Sequence, residues 1–333
     1  MNTKQEIIDA INRENKGSPP PALFSQTGTW SLMESSGARW PEANFNPAAM
    51  IELALQPSRR FGFATVRIPY DITAEAEVLG CTVSNGDEKM QPAVIDSPWR
   101  TGEVTEPPEF MPVEDFLKEG RCHMYIETAR KIAEDHPDLF LTCCMIGPLE
   151  LANHMVGMEN FMIATFMNPD DTLKWVEAMT PYECAYAEAL SEVCDNIFVI
   201  TEGAEEVLPP DQFGTYAPYE AKVFARIKEC YSTAHVCGTT INVLNGLADL
   251  KPTILSVQSH GDPQAIVDRV GDRVILAGGV DPIDTLMQGT PRDIVDAAKK
   301  AADAGYPIIT PECGVPPQTP DENLEALARY REL

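Results

Sequence analysis

The chain has 333 residues, of which 44% are hydrophobic and 23% charged, the composition of an ordinary globular protein with enough apolar material for a sizeable core. Its net charge of −26 comes from 25 basic and 51 acidic residues spread along the whole length, so a polyanion would be repelled over most of the surface, and neither nucleic acid nor an anionic membrane is expected as a partner. The N-terminus MNTKQEIIDAINRENKG lacks the apolar core of a signal peptide, no apolar run is long enough to cross a bilayer, and the nine cysteines are an odd number. Reduced thiols and a cytoplasmic protein are the expectation.

In chain order, residues 1–20 read as an N-terminal helical extension. Short apolar runs closed by turn residues then predict strands at 21–27, 64–70, 139–146, 196–202, 232–237, 253–258, 273–280 and 307–313. After the second run, 81–120 reads as an insertion rich in glycine, proline and charge, with a hairpin in CTVSNGDEKMQPAVI turning on its Asn-Gly pair and helical spacing over 124–136 behind it. Apolar residues three and four apart predict helices over 217–230, 239–250, 263–270, 292–304 and 321–332. Strands alternating with helices imply a parallel sheet, and strands apolar nearly throughout imply one buried on both faces. Eight such units close most naturally into a single (β/α)8 barrel domain over 1–333, since about 250 residues make a barrel and the remainder supplies the extension and the insertion. A doubly wound open sheet is the alternative, but SQTGTW after the first strand holds one glycine where a dinucleotide fingerprint needs three.

Barrel enzymes carry their chemistry at the C-terminal ends of the strands. Gln26, Tyr70, Gln258 and His260 fall there as candidate substrate-binding residues. In His235-Val236-Cys237-Gly238, residues two apart share a strand face, so imidazole and thiol point to the barrel mouth while Val236 packs outward. Imidazole plus thiolate is a zinc donor set, and Cys313 at the end of the eighth strand can complete a three-ligand site open to substrate. Cys143 and Cys144 face opposite ways and read as core residues, and Cys184, Cys194 and Cys230 as small apolar groups. Asp71 is either a catalytic carboxylate, acting as general acid or base, or a helix N-cap. Glu202 is either a fourth metal ligand or a catalytic carboxylate, whereas Glu205 and Glu206 read as a solvated loop.

The segments SQTGTWSLMESSGARWPEAN, VRIPYDITAEAEVLGC, HVCG, LSVQ, GGVDP and PECGVPPQTPDENLEAL resemble the uroporphyrinogen decarboxylase superfamily, and within it the methylcobamide:coenzyme M methyltransferases, over nearly the whole chain. The resemblance implies a (β/α)8 fold and a zinc held by His235, Cys237 and Cys313. It also implies a methyl group passed between methylcobalamin, a corrinoid carried on a separate small protein, and a small-molecule donor or acceptor such as the thiol of coenzyme M. True decarboxylases of the superfamily need arginines near the N-terminus, where PALFSQTGTW has no basic residue; Asp71 falls where they keep a catalytic aspartate. Gln258, Ser259 and His260 stand where the coenzyme M enzymes usually carry glutamates. That departure gives weight to the reverse flow, from a methoxylated aromatic or methylated amine to cob(I)alamin. A corrinoid-binding protein without catalysis is a third reading.

Overall fold

The computed structural model describes residues 2–333. Nine strands form: β1 (Thr65–Ile68), β2 (Thr82–Ser84), β3 (Ala93–Asp96), β4 (Phe140–Ile146), β5 (Asn196–Ile200), β6 (Tyr231–Val236), β7 (Ile254–Val257), β8 (Ile275–Val280) and β9 (Ile308–Pro311). Seven of them make one sheet in the order β1-β4-β5-β6-β7-β8-β9, with every pair parallel, and β2 and β3 make a separate antiparallel hairpin. The fold is the (β/α)8 barrel.

The eighth stave is not a regular strand. Residues 21–27 run extended beside β9, with isolated parallel bridges Pro21↔Ile309 and Thr27↔Val315 and an Ala22 N–H bond to the Ile309 carbonyl of 2.9 Å. On the other flank the Leu23 N–H reaches the Thr65 hydroxyl on β1 at 3.0 Å. Pro19, Pro20 and Pro21 offer no N–H to a ladder, so this stave closes the ring through single contacts.

Side-chain alternation divides the core in two. Residues such as Val66, Ile68, Cys143 and Val236 point outward and pack under the helices. Phe24, Phe140, Cys144, Phe198, Ile254 and Ile308 fill the barrel interior, together with Ile7, Ala10 and Ile11 of the N-terminal helix Lys4–Ile11. That helix plugs the N-terminal end of the barrel; the Thr3–Glu6 capping box starts it, and Lys4 reaches Asp195 at 2.7 Å. Cys143 and Cys144 thus do face opposite layers.

Several boundaries move for local reasons. The helix expected over 217–230 is Pro210–Phe224: Pro210 starts it, Pro218 sits inside it, and the N–H groups of Lys228 and Glu229 are drawn off to the Ser191 hydroxyl. The helix expected over 239–250 shrinks to Leu244–Asp249, because 239–242 is stapled to the preceding barrel loop. Glu206 accepts the Thr239 N–H and Glu205 the N–H and side-chain amide of Asn242, so these acids are loop ties rather than free solvated charges. The hairpin turns through 85–92, a longer loop than a tight Asn-Gly turn, with Asp87 accepting the N–H groups of Lys89 and Met90. The tip is pinned to the barrel by Trp30, whose indole donates to the Glu88 carbonyl at 3.2 Å. Helices Pro148–Val156, Met158–Met167 and Pro169–Ser191 follow β4 as a layer that the strand pattern left undescribed. Among the described residues no helix is long and apolar enough to cross a membrane.

Gly279 on β8 has φ +100°, and a Cβ there would lie 2.2 Å from the Ala301 Cβ on the helix Pro291–Ala304. Gly279→Ala combines left-handed strain with an overpacked strand–helix contact and is expected to cost about 2–4 kcal/mol, read as a lowered urea midpoint; a midpoint within error of wild type would show that this contact is loose.

Candidate metal centre and substrate cavity

The mouth of the barrel opens into a cavity of about 300 Å³. Its walls include His235, Cys237 and Cys313, together with Gln26, Tyr70 and Asp71. His235 is the inward residue near the end of β6, paired across the sheet with Ile200 on β5 and Ser256 on β7. Its Nδ1 lies 3.1 Å from the Ser256 carbonyl oxygen, an acceptor only, so Nδ1 carries the proton and the Nε2 lone pair is left facing the cavity. Phe198 lies against the ring, with centroids 4.7 Å apart.

Nε2 is 3.1 Å from the Cys237 sulfur, and the Cys237 and Cys313 sulfurs are 2.9 Å apart, outside the roughly 2.05 Å of a disulfide. All three donor atoms lie within 4.8 Å of one another. Gly238, with φ +89°, turns the chain after Cys237, and Gly314 lets the Cys313 loop pass the Gln26 side chain, which a Cβ would meet at 2.9 Å. The hydrogen bond from Cys237 pulls the Cys313 thiol down, with His235 and the Gly314 N–H helping against burial, while Cys237 is pushed up by the same pairing and by burial. The pairing favours one shared proton between the two sulfurs, and the thiolate is the form of cysteine that binds metal. An oriented imidazole lone pair and converging sulfurs fit a zinc-type cation with one coordination position facing the cavity.

Asp71 lies in the cavity wall with both oxygens occupied. Oδ1 accepts the Thr73 N–H and hydroxyl at 2.9 and 2.8 Å, and Oδ2 accepts Arg121 Nη1 at 2.7 Å and the Tyr125 hydroxyl at 2.9 Å. It precedes the helix Ala74–Val78, whose N-cap position is taken by Thr73. Tyr70 is buried, its ring edge-on to Trp40 at 5.7 Å. Gln258 and His260 do not line the cavity: β7 ends at Val257, and beyond it Gln258 Oε1 accepts the Gly238 N–H at 2.6 Å while His260 Nε2 lies 3.4 Å from the Gly238 carbonyl oxygen. Both brace the turn that carries Cys237. Ser25, Arg67 and Gln91 line the cavity without having been singled out in the sequence. Period-two alternation in TVRI was the available signal for Arg67, obscured because the run is buried throughout.

Glu202, in the loop after β5, is not one of the residues lining the cavity; its Oε1 accepts the Gly203 and Ala204 N–H groups at 2.8 and 3.1 Å, and burial, then repulsion from Glu150, push it up to about 7. Burial works to raise Glu150, but hydrogen bonds from His154 and Asn153 outweigh it and the net shift is downward. Burial raises Glu220 to about 7 as well, although the Leu149 N–H donates to its Oε1 at 3.0 Å.

One imidazole and two thiols gathered at the mouth of a barrel are compatible with a bound metal ion at the end of the barrel where such enzymes carry their chemistry. The family model for uroporphyrinogen decarboxylase (URO-D) matches residues 2–332, and the chain belongs to that family. It is 32% identical over 330 residues to the methylcobamide:CoM methyltransferase MtbA of Methanosarcina acetivorans, covering 97% of this chain and 96% of that protein. It is 29% identical to the methylcobamide:CoM methyltransferase MtaA of Methanosarcina barkeri, covering 99% and 97%. The solved structure of a methyltransferase from Methanosarcina mazei superposes with a TM-score of 0.91 at 29% identity, over 100% of this chain and 99% of that one.

A carboxyl raised by burial stays protonated in the folded chain after the unfolded chain has ionised, so its contribution to stability is lost as pH rises from about 4.5 to about 7. Glu220→Gln, an amide close in shape to the protonated acid, removes that loss. Its urea midpoint relative to wild type is expected to be higher at pH 8 than at pH 5; an equal difference at both would mean that Glu220 is not raised.

Proposed function

We propose that the chain is a zinc-dependent methyltransferase that moves a methyl group between a corrinoid carried by a small partner protein and a small thiol such as coenzyme M. The observation that carries this reading is the convergence of His235 Nε2 and the Cys237 and Cys313 sulfurs within 4.8 Å on the cavity wall. The printed names of the relatives, methylcobamide:CoM methyltransferases matched over nearly their full length, support the same reaction.

A zinc ion bound there supplies Lewis acidity that holds a substrate thiol as thiolate at neutral pH. The chain's own residues do the rest. Ser256 keeps His235 in the tautomer that presents Nε2, and Gln258 and His260 hold the Gly238 turn so that Cys237 stays at the mouth. Glu202, raised to about 7, is suited to take the proton the thiol gives up. The thiolate then forms the new carbon–sulfur bond as the carbon–cobalt bond breaks, the electron pair remaining on cobalt. Asp71, fully engaged with Arg121, Tyr125 and Thr73, serves as a positioning residue that sets the wall beside Tyr70.

About one zinc per chain is expected by elemental analysis, with most of it lost in both Cys237→Ser and Cys313→Ser. Adding a thiol should add a sulfur neighbour in the zinc X-ray absorption spectrum, whereas a methoxylated aromatic should not; the reverse pattern would favour methyl transfer from an ether. Wild-type protein that is purified without chelators, offered zinc and still binds none would overturn the reading.

A further inference from the structure

A second pair of cysteines meets at the end of the barrel away from the metal centre. Cys194 lies two residues before β5 and Cys230 immediately before β6, and their sulfurs are 4.0 Å apart. In the sequence both read as small apolar groups, yet each is only half-buried. Cys194 also lines a surface groove of about 390 Å³ walled by Glu134, His136 and Pro137, which gives a small solute a way in.

The backbone sets the pair within bridging reach. Asn196 and Tyr231 are the first paired residues of β5 and β6, and the Tyr231 N–H donates to the Asp195 carbonyl at 2.9 Å, so Cys194 and Cys230 enter neighbouring strands side by side. Adjacent strands lie roughly 4.8 Å apart, inside the Cα separation of about 4.4–6.8 Å that a disulfide spans. Ser191 ends the helix Pro169–Ser191, and its hydroxyl accepts the Lys228 and Glu229 N–H groups at 3.2 and 2.9 Å. The chain entering Cys230 is thereby held against the chain leading to Cys194. Closing the sulfurs to about 2.05 Å asks for side-chain rotation rather than backbone movement.

Reactivity at this pair comes from proximity. The hydrogen bond from Cys194 and then burial push the Cys230 thiol up, and burial pushes Cys194 up, so neither is a strong nucleophile at neutral pH. Once one of them has joined a small disulfide, the other is already in contact with it, and ring closure is intramolecular.

We propose that Cys194 and Cys230 are a modification site, at which a low-molecular-weight disulfide oxidises the pair to a reversible cross-link between the N-terminal ends of β5 and β6. The Cys194 sulfur attacks one sulfur of the small disulfide, whose S–S bond breaks as a mixed disulfide forms and the first small thiol leaves. The Cys230 sulfur then attacks the Cys194 sulfur; the protein S–S bond forms and the second small thiol leaves. Both cysteine protons end on the released thiols, so the protein loses two electrons and the small disulfide gains them. The cross-link joins residues 36 apart and clamps the strand pair whose other end sets Ile200 beside His235.

The test incubates the reduced full chain near pH 8 in glutathione buffers of rising disulfide fraction and maps the peptides without reduction. A Cys194–Cys230 link is expected in most chains under the most oxidising buffer and should vanish on adding dithiothreitol. In a Cys237→Ser background, where the metal-centre sulfurs cannot bridge, the link should raise Tm by roughly 5 °C. Cys194→Ala or Cys230→Ala, added to that background, should abolish the rise. Thiols at both positions that stay free, separate glutathione adducts in place of a link, or a link from Cys194 to Cys143, its neighbour on β4, would each overturn the proposal. So would a link that leaves Tm unchanged, or an oxidant-dependent rise that survives both alanine variants.

Discussion

The pairing of β6 with β7 sets His235 opposite Ser256, and the site depends on that register. A carbonyl oxygen can only accept, so the contact at 3.1 Å fixes which imidazole nitrogen carries the proton and leaves the lone pair of the other facing the cavity. A slip of one residue would carry His235 and Cys237 out under the helices and bring Val236 to the mouth. Parallel neighbours on both flanks, β5 and β7, hold the strand against such a slip. Because His235 and Cys237 sit two apart, the register that orients the imidazole also delivers the first sulfur.

The second sulfur depends on closure of the ring. Cys313 leaves β9 where 21–27 lies alongside, and the Val315 N–H bond to the Gln26 carbonyl of 3.0 Å ties the two segments at the level of the site. The stave that follows Pro19 and Pro20 and opens on Pro21 therefore joins the barrel through few backbone bonds, at the place where Cys313 meets the cavity. Gly314 lies against the Gln26 side chain, whose Nε2 a Cβ would meet at 2.9 Å, which couples the position of Cys313 to the N-terminal segment.

Charge is distributed against the chain's overall sign. Arg121 is spent on Asp71 and Glu77, building a rigid wall in which Tyr125 also takes part. Glu202, half-buried, and Glu220, buried, sit where desolvation and neighbouring carboxylates favour the protonated form, a cost that well-satisfied acids would not incur. Arg67 is the reverse case, a cation kept beside the cavity without a carboxylate of its own.

Seven of the eight barrel strands were legible because each is a short apolar run, buried on both faces, between turn residues. The triplet around His235 and the distant Cys313 were legible because thiol and imidazole at strand ends are uncommon pairings with a definite chemistry. The helix bounds near Pro218 and Thr239 were not, since Ser191, Glu205 and Glu206 capture those backbone groups from elements far along the chain. Nor were the parts played by Gln258 and His260, whose strand-end positions suggest a substrate and whose contacts go to Gly238. Periodicity and donor type thus determined the barrel and its candidate metal ligands, because both are properties of neighbouring residues. Which polar groups face the cavity, and which cysteines come into contact at the far end of the barrel, were decided only in three dimensions, because both depend on segments far apart in the chain.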